Sequence, residues 1–219
     1  MRRTSCASPF FMLITKIEQQ KKNKTRFSIF VDDKYAFSVS GDVYVRFVLH
    51  QGQEITETER TQIENAEAES SVRRIALRYR SYRPRSKKEI LEYLQKKGYD
   101  DSHIHQAIVF LDEMKLLNDD EFARMFCRDR LRLKPVGKAS MKHLLFKKGI
   151  DKQTVENILP EFYTEESENN LAMKEAERKY KRVKSLPIIT QKKRIFEHLV
   201  RRGYDTSLSR KVTTQLVNQ

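Results

Sequence analysis

The sequence predicts a mainly α protein: an elongated array of three tandem three-helix repeats, preceded by a small N-terminal β-hairpin extension. Three observations carry that prediction. The segments "LQKKGYD", "LFKKGID" and "LVRRGYD" set Gly98, Gly149 and Gly203 in one seven-residue context, 51 and 54 residues apart. The residues ahead of the first repeat are rich in β-branched and aromatic types with period two, as strands are. Beyond Pro84 that strand pattern does not return.

The repeat extends well past the seven residues. Four places before each glycine stand Leu94, Leu145 and Leu199, and eight before stand Ile90, Met141 and Ile195. Eleven before are Lys87, Lys138 and Lys192; two after are Asp100, Asp151 and Asp205; thirteen after are Leu111, Phe162 and Leu216. Agreement at so many aligned positions defines an internal repeat of about fifty residues.

Each position has a physical role. Apolar residues at −8 and −4 share one helix face. The glycine can take positive φ and stop that helix as its C′ residue. The aspartate two later is placed to cap the following helix, whose first N–H groups have no internal partner. That helix is expected to bury Ile104, Ile108 and Leu111 in the first repeat, Val155, Leu159 and Phe162 in the second, and Leu208, Val212 and Leu216 in the third. Ser86 and Glu89 have the spacing of a capping box ahead of the first middle helix. A further helix leads each pair. It ends near Tyr82 in the first repeat, runs through "NDDEFARMFCRDRLRL" with Asn118 as its cap in the second, and through "ESENNLAMKEAERKYKR" in the third.

The expected organisation is a disordered leader over 1–11, with Met12 a candidate start, and then the β extension over 12–56. Repeat one, with a long leading helix, covers 57–118, repeat two 119–163 and repeat three 164–219. Within 12–56, Phe27, Ile29 and Val31 fall on one face, Asp32-Asp33 supply a hairpin turn, Tyr35 and Phe37 continue, and Gly52 with Glu54-Ile55 forms the loop and short end. Thr56 opens a helix with acids first and bases last, in the order that suits the helix dipole.

The chain has 219 residues and a formal charge of +14. Residues 1–71 hold equal numbers of basic and acidic residues, so the whole surplus lies in 72–219. A basic helical part beside a neutral one points to an anionic partner, with nucleic acid first and an acidic protein surface second. No uncharged apolar run reaches the length of a membrane span, and the apolar N-terminal stretch is too short for a secretory signal. Two cysteines, Cys6 and Cys127, fit a reducing cytoplasm better than a disulfide framework.

No catalytic constellation is visible. His103 and His105 are two apart on a helix and face different directions. The six glycines form no phosphate loop, and Cys127 lies in a helical pattern where packing is the simpler role. No cofactor, metal or enzymatic activity is expected, which leaves binding. Two runs, "RRIALRYRSYRPRSKK" and "RDRLRLKPVGKASMKH", concentrate bases with few acids, and doublets end each middle helix. Cations at a helix C-terminus favour the dipole by about 0.3–1 kcal/mol, which explains much of the doublets but not the runs. The runs read as a basic stripe linking repeats one and two, making non-specific phosphate contacts. Tyr79 and Tyr82 interleave the first run, either packing on helices or stacking on bases.

The block "LNDDEFARMFCRDRLRLKPVGKASMKHLLFKKGI", residues 117–150, resembles the signature of the RecX family, bacterial regulators of the RecA recombinase. "SKKEILEYLQKKGYDDSHIHQAIVFLDEMKLLND" and "RIFEHLVRRGYD" resemble its tandem three-helix repeats, and the likeness covers residues 12–218. It implies a non-enzymatic, cytoplasmic, monomeric regulator of recombination and DNA repair. Such a protein binds RecA filaments on single-stranded DNA along the helical groove, and inhibits filament growth, ATPase and strand exchange. The expected RecA- and DNA-binding residues are Arg73, Arg74, Arg78, Arg80, Arg83, Arg85, Lys87, Lys88, Arg124, Arg128, Arg130, Arg132, Lys134, Lys138, Lys142, Lys147 and Lys148. The chain departs from the family pattern in its leader, in "VKSLPIITQ" inserted around Pro187, and in a weakly apolar last helix. The competing reading is a direct DNA- or RNA-binding module of the helix-turn-helix type. Against it, "DDSHIHQAIVFLDE" and "DKQTVENILPEF" are neutral to acidic and would repel phosphate.

Overall fold

A computed structural model describes residues 11–218. The leader expected over 1–11 lies, but for Phe11, outside the described residues, as does Cys6.

Strands β1 (Phe11–Gln19), β2 (Arg26–Val31), β3 (Lys34–Ser40) and β4 (Glu54–Thr56) form one antiparallel sheet in the order β3-β2-β1-β4. It is thus a hairpin extended on one side by two further strands. Asp32 and Asp33 join β2 to β3 at φ +48° and +62°. Two consecutive left-handed residues match the twist of a two-residue hairpin, and aspartate tolerates them better than most. Ile14, Ile29, Val39 and Ile55 are buried on the sheet's inner face.

Within the β extension expected over 12–56, β3 ends at Ser40 and Gly41–Arg46 forms the short helix α1. "VYVRF" satisfies a helical spacing as well as a strand spacing. Helix wins because Val43 is buried and Tyr44 stacks on Phe27 with ring centroids 4.4 Å apart. Glu67 anchors the switch point, accepting from the Ser40 N–H at 2.6 Å and the Ser40 hydroxyl at 2.8 Å.

Among the described residues nine further helices make the three triplets: α2 (Glu57–Ser81), α3 (Lys87–Lys96) and α4 (Asp101–Glu113); α5 (Asp119–Leu133), α6 (Lys138–Lys147) and α7 (Lys152–Phe162); α8 (Glu165–Tyr180), α9 (Ile188–Arg201) and α10 (Thr206–Val217). The chain divides into two compact units. One comprises the sheet, α1, α2 and Tyr93–Met114; the other comprises Tyr82–Glu92 and everything from Lys115 onward.

Local chemistry sets the helix ends. Thr56 and Glu59 form a reciprocal capping box on α2: the Thr56 hydroxyl accepts from the Glu59 N–H, and the Glu59 carboxylate accepts from the Thr56 N–H. Asn118, Asp151 and Asp205 each accept a hydrogen bond from the first turn of the helix that follows. Asp100 occupies the same N-cap position but makes no capping bond; its carboxylate stands 3.7 Å from His103 instead. Ser86 caps α3 through the Glu89 N–H, yet Glu89 does not return the bond, because its carboxylate is turned toward cations.

The three repeat glycines have φ between +82° and +84°. The next residue's N–H (Tyr99, Ile150, Tyr204) donates to the carbonyl of Leu94, Leu145 or Leu199, closing the same C-terminal motif three times. Those leucines, with Ile90, Met141 and Ile195, are fully buried. Truncating such a residue costs about 2–5 kcal/mol. The final helix departs from expectation: Leu208 and Leu216 are half-buried, and small polar Ser209 and Thr213 are buried with Val212. Thr213 satisfies its hydroxyl on the Ser209 carbonyl at 2.7 Å.

Within the second unit the turns also join elements. Ser86 donates its hydroxyl to the Lys148 carbonyl at 2.8 Å. At the aligned position of the next triplet, the Gly137 N–H donates to the Arg202 carbonyl at 2.9 Å, and the Ala139 N–H to Gly203 at 3.2 Å. A Cβ on Gly149 would stand 2.6 Å from Lys88 Cβ, and one on Gly203 2.5 Å from the Ser140 nitrogen; one on Gly98 would meet nothing within 4 Å. Gly98→Ala should therefore lose about 1–2 kcal/mol for the left-handed backbone alone. Gly149→Ala and Gly203→Ala should lose distinctly more in urea denaturation. Equal losses at all three would mean that the turns do not hold neighbouring elements together.

Candidate basic interface

Four of the expected interface residues, Arg73, Arg74, Arg78 and Arg80, lie on α2 in the first unit, and the others belong to the second. In the first unit Arg73 is 3.8 Å from Glu69 and its guanidinium lies 5.3 Å from the centre of the Phe110 ring. Arg74 is 3.9 Å from Glu67, which also holds Arg26 at 2.7 Å. Arg73 and Arg74, with Lys24, Arg46, Leu77 and Phe110, line a cleft of about 850 Å³. Arg78 is exposed, and no carboxylate among the described residues lies within ion-pair distance of it. Tyr79 stacks on Tyr93 at 3.9 Å and 6° between planes, so it packs internally; Tyr82 is 78 % exposed.

In the second unit a buried carboxylate gathers three of the expected residues. Glu89 has Lys148 at 2.6 Å, Arg83 at 3.3 Å and Arg85 at 3.8 Å. Burial pushes its carboxyl up, but the hydrogen bond and charge of Lys148, with Arg83, outweigh it and hold the group below the usual glutamate value. Uncompensated burial of this charge would be costly, so these cations are structural. Lys88 runs its stem past Gly149 and reaches Glu92 at 3.9 Å.

Arg124 makes a two-pronged pair with Glu161, through Nη2 at 2.9 Å and Nε at 3.0 Å. Lys142 is 3.7 Å from Glu156 and Arg132 is 3.6 Å from Asp129. Arg130 is half-buried, with its Nε enclosed and unbonded. Arg128, Lys134, Lys138 and Lys147 are exposed, and among the described residues no carboxylate stands within ion-pair distance of their side-chain charges, though the Lys138 backbone N–H donates to Glu168 at 3.3 Å. Lys87 is exposed too, and its backbone N–H donates to Asp119 at 3.2 Å.

The expected set is therefore of two kinds: cations held by internal acids, and a smaller group turned outward. Arg202, outside that set, aligns with Lys148 and likewise reaches back, donating to the Pro135 carbonyl. The alignment of the doublets was the signal for it. Burial pushes the Cys127 thiol up to about 12, so it stays protonated and packs with Phe122 and Met141. Among the described residues no group of three or more His, Cys, Asp or Glu is placed to hold a metal ion. No helix among them is long and apolar enough to cross a membrane.

Replacing Lys148 by Met leaves Glu89 short of its closest partner and should cost about 1–3 kcal/mol at neutral pH. The folded carboxyl titrates below its ordinary 4.5, so its contribution is present above that value and is lost as pH falls through the folded pKa. Glu89→Gln should accordingly flatten the loss of stability with acid below about pH 4.5, read by denaturation at successive pH values.

Comparison with known proteins matches four segments in register with these elements. They are the regulatory protein RecX N-terminal domain over residues 12–56, and the RecX first, second and third three-helix domains over 73–111, 118–159 and 166–213. The regulatory protein RecX of Bacillus licheniformis is 38 % identical over 192 residues, covering 87 % of this chain and 72 % of its own. That of Clostridium beijerinckii is 31 % identical over 208 residues, covering 94 % of each. A crystal structure of regulatory protein RecX superposes with a TM-score of 0.73 at 25 % identity, over 94 % of this chain and 98 % of that one. The RecX structure from Lactobacillus salivarius, with a TM-score of 0.61 at 24 % identity over 70 % of this chain and 99 % of its own, shares the fold.

Proposed function

Because this chain belongs to the RecX family of regulatory proteins, we propose that it regulates the RecA recombinase in homologous recombination and DNA repair. On this reading it binds RecA filaments on single-stranded DNA along their helical groove. It then inhibits filament growth, ATP hydrolysis and strand exchange. It acts as a cytoplasmic monomer, by binding alone, and needs no cofactor. The observation that carries the reading is the family match in all four segments, sheet and triplets alike.

The outward cations give the reading a physical means. Arg78, Lys87, Arg128, Lys134, Lys138 and Lys147 are exposed. Cations so placed can displace counterions from a phosphate backbone without reading sequence. The helix-turn-helix alternative has less support. The last helix of the first triplet, α4, contains no Lys or Arg and carries Asp101, Asp112 and Glu113. A helix of that charge is repelled from a DNA groove.

Adding this protein below the concentration of RecA should slow DNA-dependent ATP hydrolysis, with steeper loss of effect at higher salt. An unchanged rate across the titration would reject the reading. Arg128→Glu with Lys138→Glu should weaken that inhibition about tenfold or more while the helical circular dichroism stays intact. Arg130 is a poor target, since its enclosed guanidinium would be replaced by an enclosed carboxylate.

A further inference from the structure

The third triplet and the end of α5 bring together five bases of which only Lys134 belongs to the two sequence runs. Leu133 and Lys134 at the end of α5, Arg178 and Lys179 of α8, Arg182 just beyond it, His198 of α9 and Arg202 just after α9 surround a cleft of about 420 Å³ that Glu175 also lines. All of them belong to the second unit. Five permanent cations thus face one carboxylate.

Glu175 is 5 % exposed and is already shared. Arg178 stands 2.7 Å from it, and His198 and Arg202 each 3.5 Å. Lys134, Lys179 and Arg182 have no carboxylate within ion-pair distance among the described residues. The Arg202 guanidinium is fixed by its bond to the Pro135 carbonyl, while its Nε is enclosed and donates no hydrogen bond. Burial holds the His198 imidazole below its usual pKa; Lys179 and Arg202 press the same way, and Glu175 opposes them. At neutral pH the ring is therefore uncharged and the excess rests on the five bases. Beside them Leu133, 70 % exposed, offers an apolar edge.

We propose that this cleft binds a phosphate group. Arg182, which no carboxylate among the described residues holds, presents the planar donor pair that phosphate oxygens accept, and the Lys134 and Lys179 ammonium groups line the same cleft. One buried carboxylate leaves a surplus that a multiply charged oxyanion neutralises better than a second carboxylate does. Two sources carry that chemistry: the phosphodiester of a single-stranded nucleic acid, and a free polyphosphate. The first rests on the filament reading above; the anion chemistry does not.

The intact protein, without RecA, is titrated with pyrophosphate and separately with a short oligo(dT), following the Arg202 Nε–H and His198 ring resonances by NMR. Shifts with both probes assign the cleft to a phosphodiester; shifts with pyrophosphate alone assign it to a free polyphosphate. Lys134→Glu with Arg182→Glu should weaken the effective probe about tenfold and lower the salt slope for oligo(dT) by about two. Lys21→Glu with Lys22→Glu, an equal change of charge in the turn after β1, should leave binding unaltered. The proposal falls if neither probe moves the two resonances, if only an acidic peptide does, or if both double variants weaken binding equally. RecA ATPase inhibition that survives such a result leaves the filament reading standing, and phosphate binding without inhibition separates the two in the opposite sense.

Discussion

Everything in the helical part depends on a helix stop that a glycine makes and a leucine completes. At Gly98, Gly149 and Gly203 the backbone turns left-handed, and the following N–H reaches back to the leucine carbonyl. The same leucine inserts its side chain into the core. One residue therefore ends the hydrogen-bond ladder and anchors the packing, which couples the direction of the next helix to the burial of the last one. The carbonyls that the stop leaves open at Lys148, Arg202 and Gly203 then accept from Ser86, Gly137 and Ala139. A local device for terminating a helix is thus also a joint between elements, and the missing Cβ is what lets the Lys88 stem lie against Gly149 and the Ser140 backbone against Gly203.

A second constraint is electrostatic. Glu67, Glu89 and Glu175 are buried carboxylates, and each draws in two or three cations. A charge taken out of water is tolerable only with close partners. The acids accordingly sort the bases into those that hold the fold and those that face solvent. A basic run in the sequence overstates the cations free to face solvent for this reason: Arg83, Arg85 and Lys148 belong largely to Glu89, and Arg124 to Glu161. The cations without such an acid, Arg78, Arg128, Lys134, Lys138 and Lys147 among them, face solvent.

The N-terminal sheet illustrates a choice that spacing alone leaves open. Apolar residues from Val43 to Phe47 fit either period. The helix forms because Glu67, from a helix more than twenty residues later, takes both donors of Ser40 and ends the strand there. Likewise Asp100 holds the position and backbone angles of an N-cap without its hydrogen bond, while its two counterparts make theirs. The repeated sequence specifies the location of each cap; the detail of each bond follows from its neighbours.

By itself the sequence determined the fold class, the three glycine stops, the fully buried −8 and −4 positions, the Asp32-Asp33 hairpin and the family, because these arise from local backbone preference and periodic burial that a single chain displays directly. Only the tertiary structure decided which cations are bound inside, where α1 replaces a strand, why Ser209 and Thr213 are buried, and that bases from α5, α8 and α9 meet around Glu175. Those outcomes depend on which residues distant in the chain come within a few ångströms of each other, and charge and hydrogen-bond pairing at that range leave no period along the sequence.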